Sequence, residues 1–356
     1  MPMSAFEAAF DAAVAKCQTL TRDDARHFVD KGYVVVHGSF SESFAAEVCQ
    51  GAWDEMRAEH GVDEHDPETW SKPFMGPGRI GYIRTRGTDR RLVLKADAPR
   101  AFQAQADAIG GADRLPGDGE NLAWRDAAIG NLGLPGGPEW SPPGPRQAGW
   151  HKDGWHFRHF LNSPEQGLLT VPIYSDIQPK SGGTFIASDS IRPVAEFLAG
   201  HPAGLHPDSV QGSGYLIPGL VEQCTDFEEL TGEPGDMVLL HPFMLHRVSV
   251  NPSRRPRFIA NMALVLAEPM QFSRPAGETY SLVELAVLKA LGADEFDYRA
   301  TRPALAFKPS PFRDEAESKL QQGLLRAEMV AMSDRGTVTP SWAPDFGYMT
   351  NRDVGD

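Results

Sequence analysis

The chain of 356 residues is long enough for one large domain, and its 41% hydrophobic and 23% charged residues are those of an ordinary globular protein. Its 48 acidic residues outnumber its 34 basic residues, which gives a formal net charge of −14. Nucleic acid and anionic membrane surfaces attract basic proteins, so this balance argues against both as partners. The 35 glycines and 29 prolines indicate many turns, which excludes a protein built mainly from long helices.

The cysteines and the N-terminus indicate the compartment. Three cysteines, Cys17, Cys49 and Cys224, lie far apart and are odd in number. They predict neither a disulfide framework nor a zinc knuckle and are typical of thiols in a reducing cytoplasm. No apolar run approaches the roughly 18 residues of a membrane span. The apolar N-terminal stretch contains Glu7 and Asp11 and has no basic lead-in, unlike a secretory signal. We therefore expect a cytoplasmic protein.

The first 125 residues combine helix and strand patterns. N-caps and apolar periodicity predict helices, whereas β-branched or alternating residues predict strands. The predicted helices follow Thr21, follow Ser41 or Ser43, and cover residues 98–109. The predicted strands cover residues 33–37 and 79–84.

Between residues 126 and 268 the pattern changes to short strand-like segments separated by Gly- and Pro-containing turns. These segments cover 126–132, 168–177, 183–187, 236–241, 246–250 and 257–267. Regularly spaced short strands of this kind favour a sandwich or barrel. Helical spacing returns after Pro269, over 281–291 and 315–332. We therefore predict one structural unit with N-terminal helices and flanking strands (1–125), a β core (126–268) and a C-terminal helical extension and tail (269–356).

A His-x-Asp pair stands in the densest polar and aromatic segment. Because side chains of an extended chain alternate, His151 and Asp153 face the same side. With one more histidine, such a pair completes two-histidine-one-carboxylate ligation, which leaves one side of Fe(II) open for a co-substrate and O2. Lys152 points the other way and is expected to be exposed or near the rim. A second pair, His206 and Asp208, lies in a loop without an adjacent strand and is interpreted as a turn.

The third candidate ligand ends a hydrophobic strand. This strand follows the turn at Gly235 and leads to His246, with His241 predicted to be structural. Arg257 opens the next apolar strand, and a hairpin at Asn251 would set Arg257 opposite His246. A metal ligand beside an arginine suits a chelating dicarboxylate, because one end binds the metal and the guanidinium holds the distal carboxylate.

At this point the sequence resembles the phytanoyl-CoA dioxygenase family of Fe(II)/2-oxoglutarate-dependent oxygenases. The matching segments, within residues 20–268, are DKGYVVVHGSF, WHKD, KSGGTFIASDSI and GDMVLLHPFMLHRVSVNPSRRPRF. The resemblance implies a mainly β fold with flanking helices and a double-stranded β-helix (jelly roll, cupin-like) core. It also implies Fe(II), 2-oxoglutarate and O2 as cofactor and co-substrates. After the Gly-Gly turn this chain has Ser188-Asp189-Ser190-Ile191, where many relatives carry Pro-Gly-Ser-His.

The resemblance also implies roles for single residues. His151, Asp153 and His246 would be the metal ligands and catalytic centre, and Arg257 would hold 2-oxoglutarate. Because halogenases of this type replace the carboxylate with a small residue, Asp153 argues against halogenation.

Further candidates remain open at the sequence level. Arg254 and Arg255 compete with Arg257 but fall in the turn or before a proline. Asn131 matches an asparagine that binds 2-oxoglutarate in some relatives, although an asparagine at a strand end is often only a turn-former. Tyr174 is a candidate for the same pocket, with a place in the core as the alternative. The candidates for contact with substrate, each also explicable as a surface or packing residue, are Arg79, Arg84, Trp155, His156 and Arg158.

The expected protein is an enzyme that hydroxylates, or otherwise oxidises, a small organic molecule such as a secondary metabolite or lipid-like compound. Desaturation, ring formation and epimerisation would use the same ligands. Two alternatives are a zinc-type metallohydrolase on the same triad and a non-catalytic jelly roll that serves as a binding or sensor protein. Arg257 argues against the first, because zinc hydrolysis needs no dicarboxylate clamp, and the intact triad argues against the second.

Overall fold

The computed structural model describes residues 5–306 except 73–80, 134–136, 138, 155, 206–218 and 276, together with 314–320 and 323. Within these residues the protein is mixed α/β, with antiparallel strands in several short sheets. The helices are α1 (Ala5–Val14), α2 (Arg22–Lys31), α3 (Glu42–His60), α4 (Leu94–Asp97), α5 (Pro99–Ile109), α6 (Ile191–Ala199) and α7 (Leu282–Leu291). The strands are β1 (Tyr33–Val36), β2 (Tyr82–Arg84), β3 (Arg91–Val93), β4 (Ala123–Arg125), β5 (Ile129–Asn131), β6 (Leu168–Pro172), β7 (Thr184–Ala187), β8 (Phe227–Glu229), β9 (Met237–Leu240), β10 (Leu245–Val248), β11 (Arg257–Ile259) and β12 (Met262–Leu264).

Local capping explains where α2 ends and β1 begins. Thr21 and Asp24 form a capping box at the start of α2, and Gly32 ends it with φ 75°. A Cβ on Gly32 would lie 2.6 Å from Ile191 Cδ1 of α6. Both the left-handed backbone and this close approach therefore require glycine at the residue that leads into β1.

The strands form sheets with the orders β1-β9-β6-β12, β10-β7-β8, β11-β5-β2 and β3-β4. The first and third sheets are joined, because Ile173 forms a bridge with Ile259 and the amide of Ala260 donates to the Pro172 carbonyl at 3.2 Å. Strands β1 and β2, from the first 125 residues, therefore extend a sheet whose other strands lie between residues 126 and 268.

Alternate side chains of the central strands belong to two hydrophobic clusters. One face of β6, β7, β9 and β11 contributes to a set that we call the inner cluster, which contains Leu169, Val171, Ile173, Ile177, Ile186, Leu230, Val238, Leu240, Met244 and Ile259. The opposite faces, with residues such as Leu239 and Phe258, pack in a larger cluster that includes residues of α2, α3, α5, α6 and α7. Among the described residues the inner cluster contains no helix residue. A strand residue that lies two positions from a member of the inner cluster points to the same face of the sheet as that member.

The predicted elements agree with the structure in position, but one predicted pairing is wrong. The helices after Thr21 and Ser41 and those over 98–109 and 281–291 are present, as are the core strands. The predicted hairpin is absent, because β10 pairs with β7 whereas β11 pairs with β5. Between them the chain crosses from one sheet to another, where the side-chain amide of Asn251 bonds to the carbonyls of Asn131 and Arg255.

Several predicted features fall on residues that the structure does not describe. The pair His206 and Asp208 lies outside the described residues, as do Arg79 and most of the helix predicted over 315–332. None of the helices that the structure describes is long and apolar enough to cross a membrane.

A buried ionic network fixes α7. Glu284 is 1% exposed and pairs with Arg114 at 2.9 Å and with Arg274 at 2.7 Å. Its carboxylate also accepts the Ser281 amide at 2.8 Å, which caps the helix. Burial opposes the charge of Glu284, but the two guanidiniums outweigh it and hold its pKa below the usual range. Helix α7 also carries the Val283 carbonyl, which accepts a hydrogen bond from Nε2 of His241.

Replacing Glu284 with glutamine should lower the free energy of unfolding by about 3 kcal/mol, because two partly buried guanidiniums lose the charge of a buried carboxylate. Glu278→Gln is the matched control, since Glu278 pairs with the same Arg274 but is 52% exposed; its effect should be under about 0.5 kcal/mol. Because the folded pKa of Glu284 is lowered, the advantage of the wild type is present at neutral pH and lost as pH falls through that pKa. Urea denaturation at several pH values measures this, and equal losses in both variants would contradict it.

Candidate metal centre

Backbone pairing brings the three candidate ligands together. His151 forms an antiparallel bridge with His246 of β10, in which each amide donates to the carbonyl of the other residue at 3.0 and 2.9 Å. The two imidazole centroids lie 4.4 Å apart. Asp153 places Oδ1 3.6 Å from His151 Nε2 and Oδ2 3.6 Å from His246 Nε2. The candidate ligand atoms therefore form one cluster, all within 4.8 Å of one another.

Backbone carbonyls fix the orientation of both imidazoles. Nδ1 of His151 lies 2.8 Å from the Gly149 carbonyl, and Nδ1 of His246 lies 3.0 Å from the Met244 carbonyl. A carbonyl can only accept, so each Nδ1 carries the proton and each Nε2 presents a lone pair to the cluster. Nε2 of His246 is buried and has no hydrogen-bond partner within the described part of the chain. An orphaned imidazole nitrogen beside a second imidazole and a carboxylate fits a divalent metal such as Fe(II).

Burial and neighbouring charges favour the protonation states that metal binding needs. Burial lowers the pKa of His151 to about 4, and the nearby His246 acts in the same direction. Burial opposes ionisation of Asp153, but His246, His151 and the amide of Asn261 outweigh it and lower its pKa. At neutral pH, His151 therefore offers a neutral nitrogen and Asp153 an ionised carboxylate.

A buried histidine, His159, stabilises the turn that carries Asp153. The prediction that Lys152 is exposed is wrong. Lys152 is 3% exposed, and its Nζ donates to Nδ1 of His159. Nε2 of His159 donates to the Gly154 carbonyl. A Cβ on Gly154 would lie 2.4 Å from His159 Cε1. The side chain of Lys152 turns inward because His159 offers an acceptor there, and its burial lowers the pKa to about 7.

A polar row lies on the inward face of the sheet, across strands β2, β5 and β11. Strand pairing sets Tyr82, Asn131 and Arg257 side by side. Arg257 is 2% exposed; its Nε donates to the Gly182 carbonyl at 2.8 Å and its Nη1 to the Ile129 carbonyl at 3.4 Å. No carboxylate of the described residues forms an ion pair with this guanidinium. A buried cation without an acidic partner is costly, so this arrangement fits an external carboxylate.

The structure separates the other cofactor-binding candidates. Arg254 and Arg255 are exposed, which leaves Arg257 as the buried arginine of that segment. Asn131 lies beside Arg257, and its amide donates to the Ser249 carbonyl at 3.0 Å. Tyr174 is not brought to the site. It packs in edge contacts with two phenylalanines in the larger cluster, because it alternates with Ile173 of the inner cluster.

The residues predicted to contact substrate lie in different environments. Arg79 and Trp155 lie outside the described residues. His156 is half-buried; burial lowers its pKa, and the nearby charge of Asp153 opposes this shift. The side chain of Arg158 is buried and donates to the carbonyl of Ala203 at 3.3 Å, so it supports that turn.

Arg84 lies nearer to the metal ligands. It pairs in register with Ile129, whose side chain packs against the inner cluster, so Arg84 faces the same side. Its charge contributes to lowering the pKa values of His151 and Asp153. These observations favour Arg84 over Arg158 as a residue on the open side of the site.

Two residues near the site were not identified from the sequence. Asn261 donates a short hydrogen bond from Nδ2 to Asp153 Oδ2, and Tyr82 lies in the polar row. Asn261 could have been found from the sequence, because strand alternation predicts that it faces the same side as Arg257 and Ile259. Tyr82 could not have been found in this way, since its neighbours in the polar row come from distant parts of the chain.

No protein-family model matches the chain, and no curated protein matches it. Similar solved structures include the epimerase SnoN in complex with Fe3+, α-ketoglutarate and nogalamycin RO, with 17% identity, a TM-score of 0.42 and coverage of 82% of this chain and 95% of that chain. The non-heme α-ketoglutarate-dependent carbocyclase SnoK is 13% identical, with a TM-score of 0.41 and coverage of 74% and 91%. EctD from S. alaskensis, with 2-oxoglutarate and 5-hydroxyectoine, is 14% identical, with a TM-score of 0.32 and coverage of 70% and 79%.

We expect the protein to bind one Co(II) ion per chain, and His151→Ala, Asp153→Ala and His246→Ala each to abolish this binding, because each removes one of three donors. His65→Ala is the control, since His65 is exposed beside Glu64, to which its Nε2 lies 3.2 Å distant. Isothermal titration calorimetry measures the stoichiometry and affinity. Retention of wild-type affinity in any of the three triad variants would contradict the assignment.

Proposed function

We propose that the protein is an Fe(II)/2-oxoglutarate-dependent oxygenase that hydroxylates, or otherwise oxidises, a small organic molecule. The observation that carries this proposal is the combination of two oriented imidazoles and one carboxylate with Arg257, a buried guanidinium that has no acidic partner in the described chain. The triad suits Fe(II) with open coordination positions. The guanidinium suits the distal carboxylate of 2-oxoglutarate.

The fold that we propose for this site is a double-stranded β-helix over residues 126–268. The strand order and the inner cluster between strand faces support it. Strands β1 and β2 complete the larger sheet, so residues 1–125 contribute to the core and also supply flanking helices. The extension after residue 268 joins the same unit, because α7 carries the acceptor of His241.

Each residue of the site has a defined task in the proposed reaction. His151, Asp153 and His246 would hold the metal and leave coordination positions open for the co-substrates. Arg257 binds the distal carboxylate of 2-oxoglutarate, and Asn131 lies beside it to line the same pocket. When bound, Fe(II), 2-oxoglutarate and O2 supply an oxidation in which 2-oxoglutarate becomes succinate and CO2.

Local charge explains how an acidic protein binds a dianion. The net charge of −14 repels anions, so the attraction must come from the metal and from Arg257. Ile259 belongs to the inner cluster and Ile129 packs against it, so the surroundings of the polar row are largely apolar. In such an environment a guanidinium–carboxylate pair is stronger than at the protein surface.

The substrate enters, in this proposal, on the open side where Arg84 and His156 lie. A small molecule such as a secondary metabolite or lipid-like compound suits a site enclosed between sheets. We also propose a cytoplasmic location, which is supported by the three free cysteines.

Without O2, addition of Fe(II) and then 2-oxoglutarate should produce the visible charge-transfer band of the chelate with the wild type and no band with His246→Ala. Arg257→Gln should weaken 2-oxoglutarate binding at least about 30-fold, because losing one partner of a buried charge pair costs about 2 kcal/mol or more. Its affinity for Fe(II) should remain close to that of the wild type. Titration followed by absorbance measures both affinities.

Arg255→Gln is the matched control for this experiment, because Arg255 lies on the same segment but is exposed. Equal losses of metal and 2-oxoglutarate in Arg257→Gln would show that the arginine is structural. A protein that binds Zn(II) but gives no band with Fe(II) and 2-oxoglutarate would favour the metallohydrolase instead.

A further inference from the structure

One side chain holds the carboxylate of Asp153 from outside the triad. Nδ2 of Asn261 donates to Asp153 Oδ2, the oxygen that also lies 3.6 Å from His246 Nε2. The other oxygen, Oδ1, lies 3.6 Å from His151 Nε2 and receives no hydrogen bond from Asn261. The two oxygens of the candidate ligand are therefore unequal before any metal binds.

We propose that Asn261 is a positioning residue that keeps Asp153 a monodentate ligand. The hydrogen bond uses one lone-pair direction of Oδ2 and fixes the rotation of the carboxylate, which favours Oδ1 as the oxygen that binds the metal. This inference rests on the proposed function, because it concerns how that metal site keeps positions open.

Monodentate binding by Asp153 would determine how many coordination positions of the metal stay open for co-substrates. Two imidazoles and one carboxylate oxygen fill three positions of a six-coordinate metal, and three remain. A chelating 2-oxo acid needs two of them, which leaves one for O2. If Asp153 bound through both oxygens it would take a fourth position, and the metal could not accept both co-substrates.

The backbone on both sides of Asn261 is fixed, so its amide has a defined place. Asn261 lies between β11 and β12, where the preceding Ala260 amide donates to the Pro172 carbonyl and the following Met262 pairs with Thr170 of β6. Its Oδ1 is buried and has no partner among the described residues. Only the NH2 group can donate to a carboxylate, so the contact with Asp153 sets the orientation of the amide.

The test compares Asn261→Leu, which keeps the approximate shape but has no donor, with Asn261→Ser, which keeps a hydroxyl donor. Thr170→Val is the matched control, because it removes a buried hydrogen bond to the Met262 carbonyl, the residue next to Asn261. Thr170 alternates with Leu169 and Val171 of the inner cluster and so faces away from the triad. Thermal melts of all variants establish that they are folded.

Two binding constants and one spectrum are measured for each protein: Co(II) affinity, 2-oxoglutarate affinity at saturating Co(II), and the infrared difference spectrum between metal-loaded and metal-free protein. In Asn261→Leu we expect Co(II) affinity to fall about 10- to 100-fold. We also expect weaker 2-oxoglutarate binding at saturating metal and a narrower separation of the two carboxylate stretches, the sign of bidentate binding. Asn261→Ser should recover part of each loss, and Thr170→Val should match the wild type.

The outcomes separate this inference from the proposal on which it rests. Wild-type affinities and an unchanged carboxylate spectrum in Asn261→Leu would overturn the role of Asn261 while leaving the metal site intact. Equal losses in Asn261→Leu and Thr170→Val would also overturn it, because they would show a general effect of buried polar groups. A wild-type protein that binds no Co(II) would overturn the metal site, and the inference with it.

Discussion

The site depends on the backbone bridge between His151 and His246. Two hydrogen bonds between their main chains place the rings side by side, and Asp153 follows two residues later on the same turn. The two histidines are 95 residues apart in the sequence (246 − 151), and this bridge is what brings them together. Carbonyls of Gly149 and Met244 then turn each Nε2 inward, so backbone geometry rather than side-chain packing decides where the donor atoms meet.

The surrounding polar groups follow from that arrangement. His159 bonds to Lys152 Nζ and to the Gly154 carbonyl on the turn that carries Asp153, and Asn261 donates to one oxygen of Asp153. Arg257 is buried, and among the described residues it bonds to carbonyls but has no acidic partner. A buried charge without a counter-charge is costly, so binding of a dicarboxylate would offset the cost of Arg257.

Local signals in the sequence were sufficient for the elements and for the candidate ligands. The Thr21 cap, the strand of residues 237–240 and the His-x-Asp spacing all depend on residues close in sequence. The pairing of the strands could not be predicted from local signals in the same way. The hairpin prediction placed Arg257 opposite His246, although the structure pairs Arg257 with Asn131, because the choice between two sheets depends on distant strands. Lys152 was misplaced for a similar reason, since its partner His159 becomes available only when the turn closes.

The proposed function requires that this cluster use 2-oxoglutarate and O2. The most direct test is to incubate the Fe(II)-loaded protein with 2-oxoglutarate under 18O2 and to analyse the succinate by mass spectrometry. The succinate should carry one 18O atom and form at the slow rate expected without the primary substrate, and His246→Ala should form none above background. Absence of succinate, or succinate without 18O, would contradict it.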